Sequence, residues 1–234
     1  MKKTILFDFG GTLDTDGIHW SEKFFEAYEY NNISVSKDDF KKAFVYSEKK
    51  ISRIIKPDFD LQITFRAQIV NQLEFLKNKI SFDDDFYSIT DKIIEYCYSS
   101  VIRNVKTSKE ILNLLLPEYS LGLISNYYGN LENVLEELSL KNYFSIIIDS
   151  AKVEIRKPDP QIFRCALDSL NLSSNDVLVV GDSYKNDIEP AKSLGCKTIW
   201  LRNNGWDNPS ETKSADLIIN TIKELPKVLN KIKS

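Results

Sequence analysis

The sequence predicts an α/β protein in which a doubly wound, mainly parallel sheet is interrupted by an all-helical insert. Short runs of Val, Ile and Leu without polar alternation occur near the N-terminus and again in the second half of the chain. Such runs are typical of strands covered on both faces, as in a parallel sheet. Between them, from about residue 17 to 105, apolar and aromatic residues recur at three- and four-residue spacing, which favours amphipathic helices.

The first predicted strand is the apolar run from Thr4 to Phe9, which leads into the sequence Asp-Phe-Gly-Gly-Thr. Its short length and the glycines that follow indicate a buried strand that runs into a tight loop.

The insert should contain four helices, at residues 21–30, 36–54, 61–76 and 82–101. Ser36 followed by Asp39 is a helix-start signal, and Pro57 separates the second helix from the third. We interpret the aromatic stripes of these helices as helix–helix packing and not as a cofactor site.

Strands and helices alternate in the remainder. We expect strands at 121–124, 146–148, 177–180, 197–201 and 217–219, with helices at 131–138, 160–170 and 187–194. A chain of 234 residues suits a core domain with a smaller insert. The predicted division is a core of residues 1–15 and 104–234, and a helical cap of residues 16–103.

Composition excludes several classes of protein. A net charge of -3 gives no broad attraction to nucleic acid or anionic membrane, so an anionic ligand would need a local positive site. Cys97, Cys165 and Cys196 are far apart and form no CxxC pair, which argues against a disulfide framework and a zinc site. Asp8 interrupts the N-terminal apolar run, and no stretch approaches the ~20 apolar residues of a membrane span. We therefore expect a cytoplasmic protein.

Side chains that could take part in catalysis or ligand binding lie near the ends of the predicted strands. Ligands of open parallel sheets bind at the carboxyl ends of the strands, so these groups should share one rim. They are Asp8 at the end of the first strand, Ser125 and Asn126 at the end of the second, Lys157 in the loop after the third, and Asp182 at the end of the fourth, with Asp187 five positions beyond it.

Four segments resemble the motifs of the haloacid dehalogenase superfamily, and they occur in the family's order. They are residues 7–13 (Phe-Asp-Phe-Gly-Gly-Thr-Leu), 124–126 (Ile-Ser-Asn), 156–163 (Arg-Lys-Pro-Asp-Pro-Gln-Ile-Phe) and 180–187 (Val-Gly-Asp-Ser-Tyr-Lys-Asn-Asp). The resemblance implies a Rossmann-like core with a helical cap inserted after the first motif. The cap would open and close over the rim and determine specificity.

The resemblance also implies a mechanism, in which Asp8 attacks a phosphate ester and forms an aspartyl-phosphate that water then cleaves. Ser125 and Lys157 would act with it as catalytic residues. The implied ligands of Mg²⁺ are Asp8, the backbone carbonyl of Gly10, Asp182 and Asp187, the last directly or through water. The implied phosphate-binding residues are Gly11, Thr12, Ser125, Asn126 and Lys157.

Gly10 departs from the family's pattern, because the phosphatases usually carry a second aspartate two residues after the nucleophile. That aspartate protonates the leaving alcohol and then deprotonates the attacking water. Glycine keeps the metal-binding carbonyl but supplies no proton, and general acid–base catalysis is worth roughly 10²- to 10⁴-fold. His19 is a candidate replacement, followed by Asp14 and Asp16, although all three are more typical of linker or loop residues.

Three functions remain open at this point. We rank a phosphatase of a small phosphorylated metabolite first, because the carboxylates, serine and lysine are all retained. An impaired relative that binds a phosphate ligand or a partner ranks second. A non-phosphatase hydrolase of dehalogenase or phosphonatase type ranks third, since a metal-free dehalogenase gives no reason for Asp182 and Asp187 together. We expect no nucleic-acid or membrane partner, and a monomer or dimer.

Overall fold

A single parallel sheet organises the computed structural model, which describes residues 2–80, 85–202 and 215–233. Its strands are Lys3–Phe7 (β1), Tyr119–Ser125 (β2), Ile146–Asp149 (β3), Val177–Gly181 (β4), Lys197–Leu201 (β5) and Leu217–Ile219 (β6). They pair in the order β3-β2-β1-β4-β5-β6, with every pairing parallel. The predicted doubly wound fold is confirmed.

The strand order places a crevice beside β1. The sheet grows in one direction through β2 and β3 and in the other through β4 to β6, so the connections reverse between β1 and β4. Phe7 at the end of β1 is level with Leu123 of β2 and Val180 of β4. Residues that follow these three strands therefore meet at the point where open α/β sheets bind ligands.

Helices cover both faces of the sheet and form the insert. In the described residues they are Trp20–Tyr30 (α1), Lys37–Ile51 (α2), Leu61–Leu76 (α3), Phe86–Leu115 (α4), Leu131–Glu137 (α5), Ser150–Val153 (α6), Gln161–Leu170 (α7), Glu189–Ser193 (α8) and Leu225–Lys233 (α9). Within this part of the chain, no helix has the length and apolar character to cross a membrane.

Both faces of β1 are buried. Ile5 and Phe7 belong to an apolar cluster that continues through the insert, where it includes Phe40 and Leu73. Leu6 points to a second cluster on the opposite face of the sheet. This arrangement explains why the strands appear in the sequence as uninterrupted apolar runs.

Helix α4 is longer than the sequence analysis predicted, because it continues from the insert into the core without a break. The predicted end at residue 101 was wrong, since buried positions persist at Val105, Ser108, Leu112 and Leu115. The hydroxyl of Ser108 also donates to the carbonyl of Leu13 at 2.7 Å. The proposed boundary at residue 103 falls inside this helix, and the division into core and cap stays a prediction.

For the other elements, the observed ends differ less from the predicted ones. Strand β1 ends at Phe7 and not at Phe9, and α2 ends at Ile51 and not at 54. The helix predicted at 187–194 is a π-helical turn, Tyr184–Ile188, followed by the short α8. Residues 82–84 of the fourth predicted helix lie outside the described residues. The start signal at Ser36 is confirmed, since its hydroxyl accepts the amide hydrogen of Asp39 at 3.1 Å.

Leu112→Ala should lower the free energy of unfolding by about 2–5 kcal/mol, because its side chain is 0% exposed and its removal leaves a cavity beneath α4. Leu114→Ala in the same helix is the matched control, since Leu114 is 65% exposed. Urea denaturation monitored by circular dichroism measures both changes. Equal losses in the two variants would contradict the packing of α4 described above.

Candidate active site

The carboxylate of Asp8 follows β1 and is held by donors from two distant segments. Lys157 Nζ donates to Asp8 Oδ1 at 2.6 Å, and Ser125 Oγ donates to the same oxygen at 3.0 Å. All three side chains are buried. The fold thus brings together the predicted nucleophile, hydroxyl and ammonium.

Lys157 uses all three of its N–H donors inside this site. Besides Asp8, it donates to Asp187 Oδ1 at 2.6 Å and to the carbonyl of Ile124 at 3.1 Å. Burial alone would lower the pKa of Lys157, but the charges of Asp187 and Asp8 outweigh burial and raise that pKa above its usual value. The lysine therefore stays charged between the two carboxylates.

Asp187 lies in the turn after β4 and is fixed from two sides. Its Oδ1 accepts from Lys157, and its Oδ2 accepts the amide hydrogen of Ser183 at 3.0 Å. A Cβ at Gly181 would lie 2.4 Å from the Asp187 carboxylate, so only glycine leaves room for it. Desolvation raises the pKa of Asp187 to about 6, although Lys157 opposes the rise.

Asp182 is tied to the loop after β1 through Thr12. Thr12 Oγ1 donates to Asp182 Oδ1 at 3.1 Å and accepts the amide hydrogen of Asp182 at 3.0 Å. Trp200 Nε1 donates to the backbone carbonyl of Asp182 at 2.8 Å. The loop comes close only because of Gly11, which has a φ of +97° and whose Cβ would lie 2.5 Å from the Asp182 carboxylate.

The three carboxylates form a donor set that fits a divalent cation. One oxygen from each of Asp8, Asp182 and Asp187 can be chosen so that all three lie within 4.8 Å of one another. Desolvation, together with the charges of Asp8 and Asp187, raises the pKa of Asp182 well above its usual range. Lys157 balances only part of this negative charge. Buried, hard oxygen donors with surplus negative charge are the ligands that Mg²⁺ prefers.

Asn126 holds the backbone of Lys157. Its Nδ2 donates to the carbonyl of Lys157 at 2.9 Å, and its Oδ1 accepts the amide hydrogen of Lys157 at 2.9 Å. These two bonds position the ammonium. Direct binding of phosphate by Asn126 stays a prediction.

The amides of Gly11 and Thr12 are engaged within their own loop. The Gly11 amide donates to Asp14 Oδ1 at 2.7 Å, and the Thr12 amide donates to the carbonyl of Phe9 at 3.1 Å. In the structure these two amides stabilise the conformation of the loop after β1. Their contribution to phosphate binding also stays a prediction.

The indole of Trp20 occupies the space in front of Gly10. A Cβ on Gly10 would lie 3.6 Å from Trp20 Cδ1, an ordinary contact distance. Trp20 Nε1 donates to Asp14 Oδ2 at 2.8 Å, and both residues line the cavity that contains Asp8. Burial, helped by the charge of Asp8 and opposed by the bonds from Gly11 and Trp20, raises the pKa of Asp14 to about 7. A carboxyl group that can carry a proton near neutral pH therefore adjoins the space of the missing aspartate.

The other two acid candidates have structural partners. His19 lines the cavity, but its Nδ1 accepts the amide hydrogen of Ser21 at 3.2 Å and caps α1. Asp16 accepts hydrogen bonds from Thr221 Oγ1 and the amide of Ile222, each at 2.7 Å, which joins the first loop to the segment after β6. Asp16 is not among the described residues that line the cavity.

Several lining residues were missed by the sequence analysis. The cavity has a volume of about 250 Å³ and is also lined by Glu48, Gln68, Tyr128 and Arg156. Glu48 and Gln68 lie in helices whose pattern indicated only packing. Arg156 is the first residue of the third motif and Tyr128 lies two residues after the second, and this position in the sequence was the one available signal.

A family model described as haloacid dehalogenase-like hydrolase matches residues 5–201. A phosphoglycolate phosphatase of Vibrio cholerae is 34% identical over 119 residues, which cover 50% of this chain and 50% of that protein. The pyrimidine 5'-nucleotidase YjjG of Escherichia coli is 31% identical over 123 residues, which cover 52% of this chain and 54% of that protein. The chain spans about half the length of the curated relatives it matches.

Solved structures share the fold over nearly the whole chain. A HAD phosphatase from Thermococcus onnurineus has a TM-score of 0.52 and 24% identity, covering 97% of each chain. The L-2-haloacid dehalogenase from Xanthobacter autotrophicus has a TM-score of 0.61 and 15% identity, covering 98% of this chain and 99% of that one. At these identities the likeness shows the fold alone.

In chelator at about pH 8, Asp182→Asn should raise the free energy of unfolding, because burial and the charges of Asp8 and Asp187 disfavour the charged form of Asp182 in the native protein. The unfolded carboxyl ionises near its ordinary pKa while the folded one keeps its proton to higher pH, so the stability of the native protein falls as pH rises between these values. Asparagine carries no charge, so it removes the free-energy cost of a buried, ionised carboxyl at position 182. The exposed Asp58→Asn is the control, and urea denaturation measures both. A less stable Asp182→Asn protein would contradict the surplus of charge.

Proposed function

The chain belongs to the haloacid dehalogenase-like hydrolase family, and we propose that it is a Mg²⁺-dependent phosphatase of a small phosphorylated metabolite. The observation that carries this proposal is the buried contact of Asp8 with Lys157 and Ser125, beside two further carboxylates. Relatives that are named as phosphatases support it.

Asp8 is the proposed nucleophile. Its Oδ1 is fixed by Lys157 and Ser125, and no residue in the described ranges donates a hydrogen bond to its Oδ2. In the proposed reaction this carboxylate attacks phosphorus, the bond to the leaving oxygen breaks, and an aspartyl-phosphate forms. In this proposal Lys157 and Ser125 neutralise and bind the phosphoryl oxygens as charge develops, and each exchanges a hydrogen bond described above for one to the phosphate.

A divalent cation would be held by Asp8, Asp182, Asp187 and the backbone carbonyl of Gly10. When bound, it supplies positive charge that lets a phosphate dianion approach the carboxylates. Thr12, Ser183 and Lys157 keep the carboxylates in place through the bonds described above.

Asp14 is the proposed replacement for the missing acid and base. Its neutral carboxyl would give a proton to the leaving oxygen, and the carboxylate so formed would take a proton from the water that cleaves the aspartyl-phosphate. The bonds from Gly11 and Trp20 orient this group toward the cavity.

The other features of the proposal follow from charge and cysteine chemistry. Cys97, Cys165 and Cys196 are free thiols, and we propose the cytoplasm as the compartment on that basis. The net charge of -3 supports a small metabolite as the partner, without nucleic acid or membrane. We propose that the protein is a monomer or dimer.

The nucleophile is tested by Asp8→Asn. Purified protein with Mg²⁺ should release phosphate from an activated aryl or acyl phosphate, and Asp8→Asn should reduce release to background because the amide cannot attack. Asp58→Asn should behave as the native protein does. Absence of release by the native protein across a panel of esters would favour the impaired binder. Halide release from a 2-haloacid in chelator would instead identify a dehalogenase.

The proton donor is tested by Asp14→Asn, which should reduce kcat for alkyl phosphates by roughly 10²- to 10⁴-fold. Aryl phosphates, whose leaving groups need no proton, should lose far less. Because the acid form is required, activity of the native protein on alkyl phosphates should fall as pH rises above about 7. Steady-state rates from about pH 5 to 9 measure this, and equal losses on both ester classes would make Asp14 a loop residue only.

A further inference from the structure

The insert side of the cavity carries a carboxylate that the proposed reaction does not use. Glu48 of α2 lines the same cavity as Asp8 and is half-buried. Gln68 Nε2 donates to Glu48 Oε1, and the Tyr128 hydroxyl donates to the same oxygen at 2.8 Å. No residue in the described part of the chain donates a hydrogen bond to Glu48 Oε2.

The neighbours of Glu48 have their donors engaged. Gln68 Nε2 also donates to the Tyr128 hydroxyl at 2.9 Å, and Gln68 Oε1 accepts from Ser47 Oγ at 2.5 Å. Gln68 is 3% exposed, so its orientation is set by these bonds. What this group of side chains offers to a ligand is therefore an acceptor oxygen with a negative charge.

The opposing positive charge lies at a more exposed position. Arg156 also lines the cavity, but it is exposed and its Nη1 donates to the carbonyl of Tyr127 at 3.4 Å and to Ser150 Oγ at 3.3 Å. Water and salt screen an exposed charge more than a half-buried one. Within the cavity the carboxylate of Glu48 should therefore have the stronger effect on a ligand.

Apolar side chains line the same cavity as this carboxylate. Trp20, Phe44 and Phe65 line the cavity between the insert and the rim, and Trp20 packs against Phe65 with ring centroids 4.8 Å apart. A polar group of the ligand that is buried beside these rings needs a hydrogen-bond partner. Glu48 Oε2, to which no described residue donates a hydrogen bond, can supply one.

We propose that Glu48 selects the alcohol part of the substrate by accepting a hydrogen bond from a hydroxyl or ammonium group. The preferred substrates are then phosphate monoesters of polyols, sugars or amino alcohols. Esters whose alcohol part carries a carboxylate are rejected by charge repulsion. This inference rests on the proposed phosphatase function.

Four small esters separate these possibilities: propyl phosphate, glycerol 3-phosphate, phosphoethanolamine and phosphoglycolate. The native protein should show a kcat/KM about tenfold higher for glycerol 3-phosphate or phosphoethanolamine than for propyl phosphate, the effect of one hydrogen bond to a charged group. Phosphoglycolate should be the poorest of the four.

Glu48→Gln removes the charge and keeps an oxygen that can accept from Tyr128 and Gln68. It should lower kcat/KM for phosphoethanolamine about tenfold and raise it for phosphoglycolate. Glycerol 3-phosphate should change less, because a hydroxyl can also accept from the new amide. A hydroxyl ligand and an ammonium ligand are thereby distinguished.

Glu29→Gln is the matched control, since Glu29 is exposed on α1 and lies outside the cavity lining. Its four substrate ratios should equal those of the native protein. Unchanged ratios in Glu48→Gln, or a native preference for phosphoglycolate, would overturn the role of Glu48 while leaving the phosphatase proposal intact. Failure of the native protein to release phosphate from any ester would overturn both.

Discussion

Three carboxylates and one lysine share a buried space at the carboxyl ends of the sheet, and the surplus negative charge constrains the residues around it. Lys157 uses all three of its N–H donors within this space, and the Asn126 side chain hydrogen-bonds to its backbone. Glycine is required at 11 and 181, where any side chain would collide with a carboxylate. The cost of burying these charges is offset by the apolar clusters on both faces of the sheet. A divalent cation bound there, as proposed, would relieve the repulsion between these carboxylates.

The fold was predictable because its strands are buried on both faces, so each appears as an uninterrupted apolar run, such as Val177–Gly181. The grouping of Asp8, Ser125, Lys157 and Asp182 was predictable for a related reason. Asp8, Ser125 and Asp182 lie at or directly after the end of a strand, Lys157 lies in the segment after β3, and parallel strands end on one rim. The ends of the elements were predicted less accurately. Helix α4 passed its expected end because its apolar spacing continues to Leu115, and residues 184–188 form a π turn that places Asp187 against Lys157.

Sequence could not show how the insert is oriented over the rim. That orientation places the Trp20 indole against Gly10 and Asp14, and it brings Glu48 to Tyr128 across 80 positions of sequence. Aromatic spacing correctly indicated packing, but a residue such as Phe44 both packs in the insert and lines the cavity. Long-range contacts of this kind depend on the angle between two packed units and not on any local pattern.

The two connections between the insert and the sheet differ in secondary structure. One is α4, an unbroken helix of 30 residues. The other is the short segment from Leu13 to His19, which contains Asp14. With a continuous helix on one side and a short segment on the other, a movement of the insert relative to the sheet would be a rotation that bends the segment from Leu13 to His19. Because Trp20 is the first residue of α1, such a rotation would stretch the hydrogen bond from Trp20 Nε1 to Asp14. The conformation of this one segment would then control both the entry of a ligand and the ability of the Asp14 carboxyl to donate its proton.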